Sequence, residues 1–294
     1  MEIAEHVPLA PKTTMRIGGT ARYFAEPTSQ EEIEEAVAFA EEKNIPYFVL
    51  GSGSNTIFAD GEVQALILRI KADTVEREGN TLRVQTGKNL AMLINELAEQ
   101  GLDLSPLTGI PGTVGGALFG NAGQGPTGIW MDSFVNSVTA LVAGRWRTYP
   151  KSECGFLYRE SLFKRMDPAP ILWEVSLTIP LEEPAKIAKE VERLLQKRIE
   201  TQPHSKTAGS CFKAVAGTPA WKLIDAAGLR GEKIGGVEIA QKHANFLLND
   251  GTATFADVVS VVEKVTQTVN APLEVEMRLV EQDGRVREIE ESTR

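Results

Sequence analysis

Residues 109–128 read GIPGTVGGALFGNAGQGPTG, and eight of these twenty positions are glycine. A flexible linker would combine glycine with serine and lack apolar residues. Here Ile110, Val114, Leu118 and Phe119 are interleaved, so the backbone is expected to pack closely on something. An amide reaches a phosphate oxygen only where no Cβ intervenes, and glycine also permits the angles that turn successive N–H groups inward. A shorter loop, Gly51-Ser52-Gly53-Ser54-Asn55, follows the apolar run Tyr47-Phe48-Val49-Leu50 and adds two hydroxyls and a side-chain amide. Taken alone it reads first as a tight turn, because turns favour Gly and Ser. Two such segments in the first half of one chain predict an extended diphosphate ligand gripped from two sides.

One apparent motif fails. Gly123-Gln124-Gly125-Pro126-Thr127-Gly128 matches G-x-G-x-x-G formally. The dinucleotide fingerprint needs a strand before it, a helix starting inside it and an acidic residue about 20 positions on. Glycines precede this stretch, Pro126 interrupts it, and Asn136 and Val138 lie near the acidic position. A Rossmann site is rejected.

A chain of 294 residues suits two or three compact units. With 42% hydrophobic and 24% charged residues it can build a sizeable core. A net charge of −9 argues against a nucleic-acid binder, although local cations and amides can still hold a small anion. No apolar run reaches the roughly 18–20 residues that span a bilayer, and the N-terminus lacks a basic start and apolar signal core. Cys154 and Cys211 have no metal-ligand spacing, so neither a disulfide framework nor a zinc site is expected, and no metal. The expected setting is the cytoplasm, without membrane or nucleic-acid partners.

Periodicity outlines the elements. Ser29 and Glu32 match a capping box, followed by an apolar stripe of Ile33, Ala36, Val37 and Ala40. Strands are expected at 47–50, 65–70, 81–86, 135–142 and 171–179. A helix carries Leu90, Leu93, Ile94 and Leu97 up to Gly101, and another carries Ile187, Val191, Leu194 and Leu195. Thr201-Gln202-Pro203-His204 breaks the pattern and is the expected boundary. Beyond it lie a short helix at 221–227, a strand at 246–248, a helix at 255–269, a strand at 273–280 and an acidic tail. No repeat is evident, and the alternation of elements indicates an α+β fold.

Together these segments resemble the UDP-N-acetylenolpyruvoylglucosamine reductase (MurB) family. Thr13-Thr14-Met15-Arg16-Ile17-Gly18-Gly19 is similar to its N-terminal signature, and Leu50-Gly51-Ser52-Gly53-Ser54-Asn55 to its first flavin loop. Gly109-Ile110-Pro111-Gly112-Thr113-Val114-Gly115-Gly116-Ala117 with Gly120-Asn121-Ala122-Gly123 is similar to the second. Tyr158-Arg159-Glu160-Ser161, Gly209-Ser210-Cys211-Phe212-Lys213, His243-Ala244-Asn245-Phe246 and Leu273-Glu274-Val275-Glu276-Met277-Arg278 follow in family order. The resemblance implies a two-part FAD-binding unit of the vanillyl-alcohol-oxidase (PCMH) type plus a smaller α+β substrate domain. The divisions are placed at 1–66, 67–198 and 199–282, with a tail at 283–294. The short interval between Arg159 and Ser210 resembles the class without an inserted substrate-covering tyrosine loop.

The implied reaction is NADPH-dependent reduction of UDP-N-acetylglucosamine enolpyruvate through non-covalent FAD. NADPH and substrate are expected to share one groove in turn, in a monomer or weak oligomer. By resemblance Gly51, Ser52, Gly53, Ser54, Asn55, Pro111, Gly112, Thr113, Gly115, Gly116, Asn121, Ala122 and Gly123 hold FAD. Arg159 meets the substrate carboxylate, a pairing that suits a planar, permanently charged fork. Ser210 gives a proton to the carbanionic carbon, and Glu276 stabilises the enediol-like species, which requires a raised pKa. Without the motif, Arg159 reads as a loop arginine, Ser210 as a turn serine and Glu276 as a solvated strand glutamate. Glu274 shares the face of Glu276, so periodicity does not choose between them; the motif selects Glu276.

Tyr158, Arg198, Lys213 and His243 are further candidates for the substrate's phosphates, sugar or carboxylate, with a structural histidine as likely a reading for His243. Two positions depart from the family pattern. Ala214-Val215 stand where Asn-Pro is common, and Thr201 where lysine is common. Two rivals remain. An oxidase of the same fold would often tether flavin through histidine, but His6, His204 and His243 lie outside the flavin loops. A non-catalytic nucleotide-sugar binder would have no reason to retain Arg159, Ser210 and Glu276 together.

Overall fold

The computed structural model describes residues 1–124 and 128–289. The chain begins with β1 (Ile3–Pro8), β2 (Thr20–Ala25), α1 (Gln30–Glu42), β3 (Tyr47–Val49), β4 (Thr56–Phe58) and β5 (Glu62–Leu68). A four-stranded sheet forms in the order β1-β2-β5-β3, antiparallel between β1 and β2 and parallel elsewhere. Ser29 Oγ accepts the Glu32 amide at 3.2 Å, and the Glu32 carboxylate accepts the amide and hydroxyl of Thr28. That cap fixes the start of α1, whose Ile33, Ala36 and Ala40 bury against Leu66 and Leu68. Phe24, Phe48, Val63 and Ile67 pack in a separate cluster with Leu9, Phe58 and Val280.

Next come β6 (Val75–Glu78), β7 (Thr81–Gln85), α2 (Leu90–Glu99), α3 (Val114–Phe119), β8 (Val135–Val142), β9 (Arg145–Pro150), α4 (Leu162–Arg165), β10 (Ile171–Thr178) and α5 (Pro184–Thr201). The strands make an antiparallel sheet in the order β6-β7-β10-β8-β9. Asn89 caps α2, and its Leu90, Leu93, Ile94 and Leu97 stripe joins Val138, Val175 and Leu177 in one core. Gly101, at φ +73°, ends that run. The surprise is α3, a helix inside the glycine-rich segment. Thr113 Oγ1 accepts the Gly116 amide at 3.2 Å, and buried Val114 and Leu118 anchor the helix to the same core.

The last part holds α6 (Ala220–Ala226), β11 (Lys233–Ile234), β12 (Val237–Ile239), β13 (Leu247–Asn249), α7 (Phe255–Thr268) and β14 (Arg278–Val280). A capping box between Thr254 and Asp257 opens α7. Its valines at 258, 262 and 265 pack with Ile239 and Leu247, and also with Met15, Ile17 and Ile57 from the start of the chain. The strand expected over 273–280 is regular only at β14, which pairs in parallel with β4. Upstream, the backbone is satisfied elsewhere: Lys213 N donates to Glu274 O at 2.9 Å and Glu276 N to Cys211 O at 2.7 Å. The segment changes partners midway, and so carries Glu276 from one layer toward the other. The fold is α+β, as read from the sequence. No helix among the described residues is long and apolar enough to cross a membrane.

Candidate active site

A cleft of about 1150 Å³ opens where the two glycine segments meet residues 202–210, Glu276 and Arg278. Single drug-sized ligands occupy roughly 300–1,000 Å³, so there is room for an extended dinucleotide. The glycines do two jobs. Gly53 stands at φ +66°, and a Cβ there would lie 2.3 Å from the Lys12 carbonyl oxygen; one on Gly115 would lie 2.8 Å from Thr86 Cβ. These two let backbone pack on the scaffold. At Gly116, Gly120 and Gly209 a Cβ would meet nothing nearer than 3.7 Å, and all three line the cleft. Their missing side chains leave that space open. Hydrogen bonds stitch the walls together: Ser54 Oγ to Pro111 O at 3.2 Å, Asn55 Nδ2 to Ala208 O at 3.1 Å and Thr14 Oγ1 to Thr207 O at 2.6 Å.

Electrostatics single out the cleft. Among its described lining residues, Arg16, Arg159, Lys164, Arg198, Lys206 and Arg278 are cationic, and Glu276 is the one carboxylate. A chain of net charge −9 thus concentrates positive charge here, as an anionic ligand requires.

Arg159, Ser210 and Glu276 all line this cleft. Arg159 sits at φ +57°, a conformation a non-glycine residue holds only when its surroundings over-determine it. Leu157 and Glu160 exchange backbone hydrogen bonds at 3.0 and 3.1 Å, closing a turn around it. Arg159 Nη2 donates to Gly123 O at 3.0 Å. Its Nε lies 3.0 Å from Glu276 Oε1, an ion pair in which the N–H is not aimed at the oxygen and keeps no hydrogen-bonded acceptor. Burial pushes the Glu276 carboxyl above its usual value, and the charges of Arg159, Lys164 and Lys213 pull only partly the other way. Asn245 pins the Ser210 loop, with its side chain accepting from Phe212 N and donating to Phe212 O at 3.0 and 2.9 Å. The Ser210 hydroxyl itself makes no hydrogen bond among the described residues, so it is free to meet a ligand.

Residues 51–55, Pro111, Gly112, Thr113, Gly115, Gly116, Ala122 and Gly123 line the cleft. Asn121 does not; buried at φ +41°, it ties Leu157 O and Asp132 N together, holding the Arg159 turn from behind. Gly125, Pro126 and Thr127, and with them the rejected G-x-G-x-x-G match, lie outside the described residues. Tyr158, Arg198 and His243 are cleft residues. Burial, helped by the nearby Arg159, pulls Arg198 down to about 10, and its Nε has no acceptor. His243 is lowered by burial and packs between Trp221 and Phe246. Lys213 stands behind the wall, 2.6 Å from Glu160 and in close contact with Glu274. It therefore holds the Arg159 turn and the Glu274–Glu276 backbone in register.

Sequence reasoning passed over Arg278 and Lys164 as site residues. Lys164 Nζ donates to Arg159 O at 3.0 Å and to Glu160 Oε1 at 2.9 Å, the latter at i,i+4 spacing. Arg278 closes the last quoted motif and lies two residues beyond Glu276, so strand alternation could have found it.

Comparison with known proteins agrees with this geometry. The model for the UDP-N-acetylenolpyruvoylglucosamine reductase C-terminal domain matches residues 202–280, and that for an FAD binding domain matches 21–144. A UDP-N-acetylenolpyruvoylglucosamine reductase of Moorella thermoacetica is 36% identical over 282 residues, covering 95% of this chain and 92% of that protein. The chain belongs to the UDP-N-acetylenolpyruvoylglucosamine reductase family. A reductase of Chlamydia trachomatis is also 36% identical, covering 91% of each chain. The crystal structure of the Thermus caldophilus reductase superposes with a TM-score of 0.81 at 32% identity, covering 95% of this chain and 98% of that one. The matched FAD binding domain spans both glycine segments, and its PCMH-type fold is that read from the sequence. FAD is the cofactor of this reductase-family chain. Arg159 falls between the two matched stretches, and Ser210 and Glu276 fall inside the second.

Proposed function

We propose that this chain reduces the enolpyruvyl ether of UDP-N-acetylglucosamine to UDP-N-acetylmuramate with NADPH, a step of peptidoglycan precursor synthesis. FAD, held by residues 51–55, 111–113, Gly115, Gly116, Ala122 and Gly123, would supply hydride transfer between NADPH and the terminal methylene of the substrate. The chain's own residues handle the charge and the proton. Arg159, fixed by its turn and lining the cleft, takes the substrate carboxylate, into which negative charge spreads as the carbon is reduced. Glu276, raised by burial, carries a proton toward the same carboxylate and stabilises the enediol-like arrangement. Ser210 gives its hydroxyl proton to the adjacent carbon, a strong base at that moment, and regains one from solvent.

The observation that carries this reading is the 3.0 Å approach of Arg159 Nε to the Glu276 carboxyl inside a cationic cleft that also holds Ser210 and both glycine segments. Tyr158, Arg198 and His243 are assigned to the nucleotide sugar, Arg198 to its phosphates because its Nε lacks an acceptor. NADPH and substrate alternate in the groove. We assign residues 1–66 and 67–198 to cofactor binding and 199–282 to substrate binding, in a cytoplasmic monomer or weak oligomer.

The test is anaerobic. The FAD-loaded protein is reduced with NADPH, the enolpyruvyl substrate is added, and flavin absorbance is followed. Rapid reoxidation is expected, slowed by about 10²–10⁴-fold in Ser210→Ala. A flavin that stays reduced with authentic substrate overturns the reading.

A further inference from the structure

Asn121 stands in the second glycine segment but not in the cleft. Gly120, Ala122 and Gly123 line the cleft, whereas Asn121 is fully buried behind it. Its backbone sits at φ +41°, which asparagine tolerates better than most residues. Glycine would adopt that angle more readily still, so the conformation alone does not account for the amide. Both ends of the side chain are used: Nδ2 donates to Leu157 O at 2.9 Å and Oδ1 accepts from Asp132 N at 3.0 Å. Leu157 O also accepts the Glu160 amide at 3.1 Å. Both lone pairs of the carbonyl that closes the Arg159 turn are thereby engaged.

Apolar packing does little to hold that turn. Leu157 leaves 63% of its surface exposed, and Tyr158, Arg159 and Glu160 are half-buried. Hydrogen bonds fix it instead. Lys164 Nζ meets Arg159 O, and Lys213 Nζ meets the Glu160 carboxylate. Three more ties run to one strip of the glycine segment. Ser161 Oγ donates to Phe119 O at 2.7 Å, Asn121 reaches Leu157 O, and Arg159 Nη2 donates to Gly123 O at 3.0 Å. The strip that lines the cleft at Gly120 and Ala122 thus grips residues 157–161 through the alternate positions 119, 121 and 123. Of these three ties, only that of Asn121 starts from a side chain of the strip itself.

We propose that Asn121 is a positioning residue for Arg159, fixing where the guanidinium stands relative to the second glycine segment. This inference rests on the assignment of Arg159 to the substrate carboxylate and deepens it, because it names what keeps the arginine at φ +57°. Asn121 is buried away from the cleft, so it acts on the reaction only through the turn. Misplacing a reacting group by about 1 Å costs on the order of 100-fold in rate.

The experiment is a double-mutant cycle on the full-length, FAD-loaded protein. Its readout is reoxidation of the NADPH-reduced flavin by the enolpyruvyl substrate. Asn121→Gly keeps the backbone angle and removes both hydrogen bonds, and it should slow reoxidation by about 10–100-fold. FAD affinity, titrated on flavin-stripped protein, should stay within about threefold of wild type. Arg159→Met removes the guanidinium. Adding Asn121→Gly to it should cost no more than about threefold further, since the group being positioned is gone. A full second loss in the double variant overturns the proposal. So does wild-type reoxidation in Asn121→Gly, or a fall in FAD affinity that matches the fall in rate. Asn121→Asp keeps the bond from Asp132 N and loses only the one to Leu157 O. It is put through the same cycle, decides the question where the glycine variant does not fold, and overturns the proposal if it reoxidises like wild type. A wild-type rate in Arg159→Met overturns the role given to that arginine, and is seen before any Asn121 variant is compared.

Discussion

Glu274 and Glu276 show how little separates a structural carboxylate from a chemical one. Two positions apart, they differ in what lies beside them. Glu274 keeps 52% of its side chain exposed and pairs with Lys213, whereas Glu276 keeps 18% and faces Arg159. In anaerobic single-turnover measurements, Glu276→Gln is expected to slow substrate reduction by at least about 10²-fold. Glu274→Gln should stay within about threefold, and the reverse ranking would overturn the choice of carboxylate. Glu160 carries a prediction about acid stability. Burial pushes its carboxyl up, but the hydrogen bonds from Lys213 and Lys164 outweigh this and hold it below 4.5. A folded value below the unfolded one means that the stabilisation is present above pH 4.5 and is lost as pH falls through the folded value. Lys213→Met should therefore destabilise the protein by about 1–3 kcal/mol at pH 7. In urea unfolding, its deficit relative to wild type should shrink as pH falls from 4.5 through the lower folded value of Glu160.

At the scale of elements, what could be read from the sequence followed the strength of local signals. α1 and α2 combine a cap with a long apolar stripe, and both were legible, as was α7. α3 was not, since glycine is a poor helix former and three of the residues around its turns are glycine. Its formation depends on the Thr113 cap and on burial of Val114 and Leu118, which are tertiary facts. The expected 273–280 strand was right in its last three residues only, because the period-2 signal says nothing about which partner satisfies the backbone. Of the site, both glycine segments and the three proposed catalytic residues were legible through ordered motifs. The support behind them was not: Asn121 and Lys213 looked like contact residues, and the structure sets both behind the wall. Gly53 yields a test at this level. With φ +66° and only 2.3 Å to Lys12 O for a Cβ, Gly53→Ala should lose about 1–3 kcal/mol of stability. It should also release FAD on dilution, detected by fluorescence.

The molecule as a whole is tied together across long stretches of sequence. Buried Asn249 donates from Nδ2 to Met15 O at 2.8 Å while its Oδ1 accepts from Gly251 N at 2.7 Å and Ala253 N at 3.2 Å. The Asp60 carboxylate accepts the Phe255 amide at the start of α7, at 2.9 and 3.0 Å. Asn249→Leu should therefore cost about 1–3 kcal/mol by stranding the Met15 carbonyl, read as a lower melting temperature of the FAD-loaded protein. β14 also reaches far along the chain, pairing Leu279 with Ile57. A ribosome must synthesise β14 before that pairing, and with it the Arg278 side of the cleft, can exist. The cleft is thus completed only after β14 has been made, and chains terminated before it should emerge colourless.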